Sequence, residues 1–249
     1  MEEQEITNEK LKAILEDGAR DSDIKVKGEV VKIQTPEQRE AVNKLLKEFE
    51  KPKKIALVGD ANVGKSNLLY YLIQELQEKN YFSLYTFGLK IEVGGVKINS
   101  LEELEQIRNS VIIIDEFYSL FDLQDRKKRK LIERTLRLIF HNNNVLVLCG
   151  LPENFKKYIA GVMDLYIFQK LTISGFINGS RIKEICLNYS GDELGSSILN
   201  LDKDEAIIYN KHYKKINIPY LPDYDTKKGN IPIICDKNSA INVRKKVEK

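Results

Sequence analysis

The chain is poor in the residues that build metal cages and disulfide frameworks. It carries three cysteines, Cys149, Cys186 and Cys235, and two histidines, His141 and His212, in 249 residues. None of these stand at metal-ligand spacing. The cysteines are widely separated, two of them within apolar runs, which points to buried thiols in a reducing compartment and away from a disulfide scaffold. No stretch approaches the ~18 uninterrupted apolar residues of a membrane-spanning helix. The acidic start, Met1-Glu-Glu-Gln-Glu5, does not look like a signal peptide. Charge of one sign is also scarce: 40 Lys and Arg against 37 Asp and Glu leave a formal net charge of +3. Any nucleic-acid contact must therefore come from local patches rather than from a basic body. No internal repeat is visible, and 42% apolar residues suffice for the core of one α/β domain with modest additions.

Against these absences stands one complete motif. Gly59-Asp60-Ala61-Asn62-Val63-Gly64-Lys65-Ser66 is a G-x-x-x-x-G-K-S phosphate-binding loop, with Asn67 following. Upstream, Lys54-Ile-Ala-Leu-Val58 is of strand type; downstream, Leu68, Leu69, Leu72, Ile73 and Leu76 recur at helical spacing. Strand, glycine loop and helix together present successive backbone N–H groups and a helix N-terminus to a phosphate. Lys65 is the expected ligand of the β- and γ-phosphates, and Ser66 the expected ligand of Mg²⁺.

Val111-Ile-Ile-Ile114 is apolar enough to be buried on both faces of a parallel sheet, and it ends in two carboxylates, Asp115 and Glu116. The carboxyl ends of such strands are where open α/β sheets bind ligands. Asp115 is the candidate Walker B acid, holding Mg²⁺ with Ser66, and Glu116 the candidate general base that polarises an attacking water. The competing reading of Glu116 is an ion pair or a cap. The Asp-Glu pair resembles the P-loop ATPases that hydrolyse with a catalytic glutamate. No Asn-Lys-x-Asp guanine motif follows, and the only Asp-x-x-Gly, Asp192 to Gly195, comes too late for a GTPase. ATP is therefore the expected nucleotide.

The fold expected is a three-layer α/β P-loop NTPase with a mainly parallel sheet, an N-terminal helical and strand leader, and a C-terminal β-rich extension. In the leader, residues 1–50, a helix is expected over Glu2 to Leu15 and a strand or hairpin over Ile24 to Ile33. Thr35-Pro36-Glu-Gln38 then opens a helix to about Glu50, with Val42, Leu45, Leu46 and Phe49 on one face. The core, residues 51–170, continues with a strand over Tyr81 to Phe87, a capping box at Ser100 to Glu103 for a helix to about Arg108, and a basic helix over Asp125 to Phe140. A buried strand over Val145 to Gly150, a helix over Pro152 to Ile159 and a strand over Leu165 to Phe168 complete it. In residues 171–249, Lys170 to Ser174 and Arg181 to Asn188 read as a hairpin, Glu205 to Tyr209 and Lys215 to Ile218 as a second strand pair, and Pro219 onward as a surface-wrapping or disordered tail with a basic end.

The order from Val111 to Phe168 is an apolar strand ending Asp-Glu-aromatic, a charged helix, a His-Asn-rich break, an aliphatic strand, a short helix and Asp164-Leu-Tyr-Ile-Phe168. This resembles the FtsK/HerA superfamily, especially the genome-packaging ATPases of tailless icosahedral viruses and the Zot-like proteins of filamentous phages. The resemblance implies a homo-oligomeric ring, hexamer or pentamer, that threads DNA, double-stranded by preference, using ATP and Mg²⁺. It also implies a capsid, portal or replication protein as partner, a host-cytoplasmic or virion setting, and a Val145 strand lying between the P-loop and Walker B strands. Its members usually end that strand in a polar sensor residue, often glutamine; here Cys149-Gly150-Leu151 stands there, with Asn154 a poor substitute.

Arg126, Lys127, Lys128, Arg129 and Lys130 form a basic run that is either a solvated helix face or a DNA-phosphate contact. Arg134 and Arg137, one and two turns on, are candidate arginine fingers toward a neighbour's γ-phosphate, or partners of Glu133 or another acid. The alternative class is an AAA-type helper or loader ATPase for replication or transposition, which Thr35-Pro-Glu-Gln38 and Asp115-Glu116-Phe117 also fit. Its helical lid is missing from a C-terminal third that reads as strands. A nucleotide-gated scaffold without turnover is a third class, opposed by Glu116.

Overall fold

The computed structural model describes residues 23–26, 29–33, 36–78, 83–89, 95–121, 126–190, 192–218 and 233–235. Expectations for Glu2 to Leu15, for Thr35 as a cap and for the tail from Pro219 to Pro232 and beyond Cys235 lie outside them. The elements in chain order are β1 (Asp23–Val26), β2 (Glu29–Ile33), α1 (Pro36–Lys47), β3 (Lys53–Val58), α2 (Lys65–Glu78), β4 (Ser83–Phe87), β5 (Val96–Lys97) and β6 (Ser110–Ile114). There follow α3 (Tyr118–Phe121), α4 (Arg126–His141), β7 (Val145–Gly150), α5 (Lys157–Ala160), β8 (Leu165–Phe168), α6 (Ile173–Asn178), α7 (Ser180–Ser190), α8 (Asp192–Leu199), β9 (Glu205–Asn210), β10 (His212–Asn217) and β11 (Ile233–Cys235).

Eight strands form one sheet in the order β10-β9-β8-β3-β7-β6-β4-β5. From β8 to β5 every pairing is parallel, and β9 and β10 are added antiparallel at one side. The expected position of the Val145 strand is met: β7 pairs with β3 on one side and β6 on the other. A separate three-stranded sheet joins β1 and β2 as an antiparallel hairpin, with β11 parallel to β2.

Successive side chains of a strand point to opposite faces, so a strand covered on both sides must be apolar throughout. In β3, Ile55 and Leu57 enter the core beneath α1 and α2, while Ala56 and Val58 enter the core beneath α4, α7 and α8. Residues 111 to 114 of β6 and 145 to 148 of β7 divide in the same way. Three layers result, as expected. On α1 the buried residues are Gln38, Ala41, Val42, Leu45 and Leu46, and Phe49 just beyond is buried too. On α4, Ile132, Leu136 and Ile139 face the sheet, and Lys128, Arg129, Lys130, Arg134 and Arg137 face solvent.

Several local expectations are corrected. The helix expected over Ser100 to Arg108 is only a 3-10 turn, Glu102–Glu105. The Glu103 carboxylate does reach back, but accepts from the Asn99 N–H at 3.2 Å. The helix expected over Pro152 to Ile159 is a 3-10 turn, Pro152–Asn154, and then the single turn α5. The largest correction concerns Lys170 to Asn188, which is no hairpin. Thr172 caps α6 by accepting from the Gly175 N–H, and α7 and α8 follow. Ile182, Ile185 and Cys186 are buried at helical spacing, a period of 3.6 that outweighs the β-branched content suggesting strands. The C-terminal third is thus helical before it is β. The β9–β10 pair forms as expected, and β9 extends the main sheet from β8.

The Asn142-Asn-Asn144 break fixes the register at the amino ends of three strands. Asn143 turns the chain with φ of 56°. Asn144, fully buried, accepts from the Ser110 N–H of β6 at 3.1 Å and donates to the Ile107 carbonyl at 2.8 Å. Its own carbonyl accepts from the Lys53 N–H at 3.2 Å. Asn144→Ala orphans a buried donor and a buried acceptor, and should cost about 2–4 kcal/mol of unfolding free energy in urea denaturation. A loss under about 0.5 kcal/mol would show that this side chain does not hold the register.

Candidate active site

The loop after β3 has the conformation its glycines permit. Asn62 and Gly64 take positive φ, 60° and 96°, and alternation of this kind gathers backbone N–H groups into an anion-binding concavity. Gly59 is needed for close packing: a Cβ there would come within 2.9 Å of Val63 Cγ2 and 3.2 Å of Gln169 Cβ. Val63 is buried and anchors the loop, whereas Ala61 and Asn62 are exposed at its crest. Lys65 Nζ curls over the loop and donates to the carbonyls of Gly59 at 3.0 Å and Asp60 at 2.6 Å. Ser66 and Asn67, half-buried, begin α2.

The second half of the site arrives on β6. Ser66 Oγ donates to Asp115 Oδ2 at 2.9 Å, so the two candidate Mg²⁺ ligands already meet. Asp115 Oδ1 accepts from the Glu116 N–H at 3.0 Å. A hydroxyl and a carboxylate are the hard oxygen donors Mg²⁺ takes, and two protein ligands leave its remaining positions to phosphate and water. Glu116 is exposed with φ of 47°, unusual for a residue with a long side chain. The turn is held by Ser119, whose N–H and hydroxyl both donate to the Glu116 carbonyl, at 3.0 and 2.9 Å. Strained backbone of this kind clusters at functional sites.

Two glycines that the motifs do not include support Asp115 and its neighbours. At Gly88, with φ of 75°, a Cβ would collide with the Asp115 carbonyl; beside it, the Asp115 N–H donates to Phe87 O at 2.9 Å. At Gly150 a Cβ would come within 2.8 Å of the Phe117 ring, which packs on Phe121 and Phe155. Cys149, one residue before the end of β7, is fully buried against Asp115. Burial first and the Asp115 carboxylate second push its thiol well above the ordinary range, so it stays neutral beside the carboxylate. On the other flank of β3, Gln169 follows β8, 1% exposed, with its Oε1 unpartnered among the described residues. The sequence signal for Gln169 was a polar residue closing an aliphatic strand.

The remaining candidates lie on α4, which returns the chain from the carboxyl edge of the sheet to its amino edge. Its first turn, the basic run, is therefore at the edge where the P-loop opens. The side chains of Lys128, Arg129 and Lys130 are exposed there, and Arg129 pairs with Glu133 at 3.0 Å and lies over the Tyr158 ring. For Arg126 and Lys127 only the backbone is described. Arg134, toward the amino edge, is paired with Glu105 at 3.1 Å. Arg137 is exposed and has no ion pair among the described residues.

A parallel sheet with the P-loop strand and the Asp-Glu strand separated by one strand, and a Ser-Asp pair closing the gap, defines the P-loop NTPase fold. Known structures share it. The DNA-packaging ATPase B204 of Sulfolobus turreted icosahedral virus matches with a TM-score of 0.54 at 17% identity, over 69% of this chain and 100% of that one. The genome packaging NTPase B204 of Sulfolobus turreted icosahedral virus 2, in complex with ATP-gammaS, matches with a TM-score of 0.52 at 19% identity, over 68% of this chain and 98% of that one. No protein-family model and no curated protein matches the sequence.

Lys65→Ala removes the one cation of the loop and should weaken ATP-gammaS binding about ten- to a hundredfold, as a charged hydrogen bond to phosphate is lost. Titration calorimetry with the folded variant tests this; unchanged affinity would place the phosphates elsewhere.

Proposed function

We propose that this chain is a Mg²⁺-dependent ATPase that drives DNA translocation, as a subunit of a ring-forming genome-packaging motor. The observation that carries the enzymatic part is the Ser66–Asp115 hydrogen bond with Glu116 next in sequence, which supports reading this sheet edge as a phosphate cradle with a metal-ligand pair and a base. Lys65 exchanges the carbonyls of Gly59 and Asp60 for the β- and γ-phosphates. Ser66 and Asp115 would hold Mg²⁺, which would neutralise charge on the phosphates. Glu116, free of side-chain partners among the described residues, takes a proton from a water directed at the γ-phosphorus.

The DNA part is supported by two facts. The fold match runs over the full length of the B204 chains, proteins described as packaging DNA or a genome. Lys128, Arg129 and Lys130 project into solvent at the edge where the P-loop opens. The helper or loader reading gains α6 to α8, helices where a lid would stand. Of these, α7 and α8 are packed into the sheet's own core through Ile182, Leu194 and Ile198, and the chain re-enters the sheet at β9, so they do not form a separate lid.

Steady-state hydrolysis with and without linear double-stranded DNA tests the proposal. The expected result is Mg²⁺-dependent turnover raised by DNA, with Glu116→Gln slower by about a hundredfold or more while ATP binding persists. Turnover indifferent to DNA would favour the helper reading, and normal turnover in Glu116→Gln would remove the base assignment. Neutralising Arg126 to Lys130 together should weaken DNA binding and flatten its dependence on log[salt], by about 0.9 for each phosphate no longer neutralised. An unchanged slope would make the run a solvated face.

A further inference from the structure

The carboxylate of Asp60, the second residue of the P-loop, is turned onto the segment that starts α6. Its Oδ2 accepts from the Thr172 N–H at 2.6 Å. A Cβ on Gly175 would overlap its Oδ1. The Asp60 N–H donates to the Lys170 carbonyl at 3.2 Å, and just below it the Gln169 N–H donates to Val58 O at 2.8 Å. Residues 169–175 are thus laced to the loop. The glycine at 175 has no conformational cause, since its φ is not among the positive ones. Room for the carboxylate is what requires it.

The carbonyls of Gly59 and Asp60 also hold Lys65 Nζ. One residue, Asp60, therefore holds the cation that phosphates would draw away and, through its carboxylate, the start of α6. When Lys65 exchanges these carbonyls for phosphate, the bonds on Gly59 and Asp60 change. A short charge-assisted bond transmits any displacement of Asp60 to Thr172. Beside Gly59, the buried Gln169 Oε1 is an acceptor without a donor among the described residues in this state, which a shifted loop can supply. None of the residues of α6 is buried: Ile173 and Ile177, one turn apart, are 70% and 57% exposed, and Phe176 rests against Gly195 of α8.

We propose that Asp60 is a clasp by which the nucleotide state of the P-loop sets the position of α6, so that binding is expressed at the Ile173–Ile177 surface. The inference rests on the nucleotide-binding reading of the loop. It makes Asp60 a positioning residue, acting through Thr172, and assigns its side chain no phosphate contact.

Amide hydrogen exchange of residues 172–178 in the full chain tests it, without nucleotide and with saturating ATP-gammaS and Mg²⁺, alongside ATP-gammaS affinity measured by titration. In the wild type, exchange there should differ by about fivefold or more between the two states. Gly175→Ala forces the carboxylate out while leaving the P-loop sequence intact. It should bind ATP-gammaS within about twofold of wild type, yet exchange residues 172–178 equally in both states. Asp60→Ala should abolish the difference from the other side of the contact, and the double variant should add nothing further, the signature of one shared interaction. If bound ATP-gammaS leaves wild-type exchange at 172–178 unchanged, or if both single variants keep the nucleotide-dependent difference, the clasp is overturned. Failure of the wild type to bind ATP-gammaS in the parallel titration would instead overturn the nucleotide reading, and this inference with it.

Discussion

The Ser66–Asp115 hydrogen bond is the constraint around which the rest of the architecture is arranged. It joins residues 49 apart in sequence, and it can form only if β3 and β6 end level with one strand between them. β7 is that spacer, in parallel register with both: Val145 stands opposite Lys53 on one side and Val111 on the other. At the amino ends the register is fixed by Asn144; at the carboxyl ends it is read out as the distance between a hydroxyl and a carboxylate. A slip of one residue would turn every side chain of β6 to the opposite face and take Asp115 away from Ser66. The fully apolar strands serve the chemistry indirectly, by leaving the sheet one way to stack.

This dependence explains what was legible in the sequence. The P-loop, the Asp-Glu strand and the aliphatic runs of β3, β6, β7 and β8 follow from local pattern, because phosphate cradling and two-sided burial each demand particular residues at particular spacing. The order β3-β7-β6 came only through resemblance, since periodicity reports burial and not adjacency. Gly88, Gly150 and Thr172 were silent for a related reason: each matters through a contact with a residue far away in sequence, Asp115, Phe117 and Asp60 respectively. The segment from Lys170 to Asn188 misled because Ile173, Ile177, Ile182 and Ile185 favour strands intrinsically, while the Thr172 cap and the buried face of α7 favour helix. Tertiary burial prevailed over propensity.

Polarity around the P-loop is distributed unevenly between the two strands that flank β3. On the β7 side the neutral, buried thiol of Cys149 stands one residue before the strand's end, so it sets no competing charge beside Asp115 where Asp115 meets Ser66 and the Glu116 N–H. On the β8 side stand Gln169, Lys170 and Thr172, which meet the loop through its backbone and through the Asp60 carboxylate. The Ser66–Asp115 pair and the attachment of the loop to the segment before α6 are therefore on opposite sides of β3. A group that senses phosphate from β7 would be at the metal; one that follows the loop from β8 would be at its hinge.

In the proposed reading of the chain as a motor subunit, that division bears on how its C-terminal helices could be used. Work requires that nucleotide binding favour one arrangement of a surface over another, by a differential interaction located somewhere definite. Here α6 follows β8 by a few residues, is tied to the P-loop at Asp60, and is backed by α7 and α8, whose buried residues belong to the same core as β3, β7 and α4. The core side is close-packed and gives little, while α6 meets it only through the partly buried Phe176. A shift at Asp60 would therefore be absorbed at α6 rather than spread through the sheet. The basic first turn of α4 is carried on the rigid body, through Ile132, Leu136 and Ile139. In the packaging reading, the basic first turn of α4 would stay fixed to the sheet within a subunit while α6 moves relative to it.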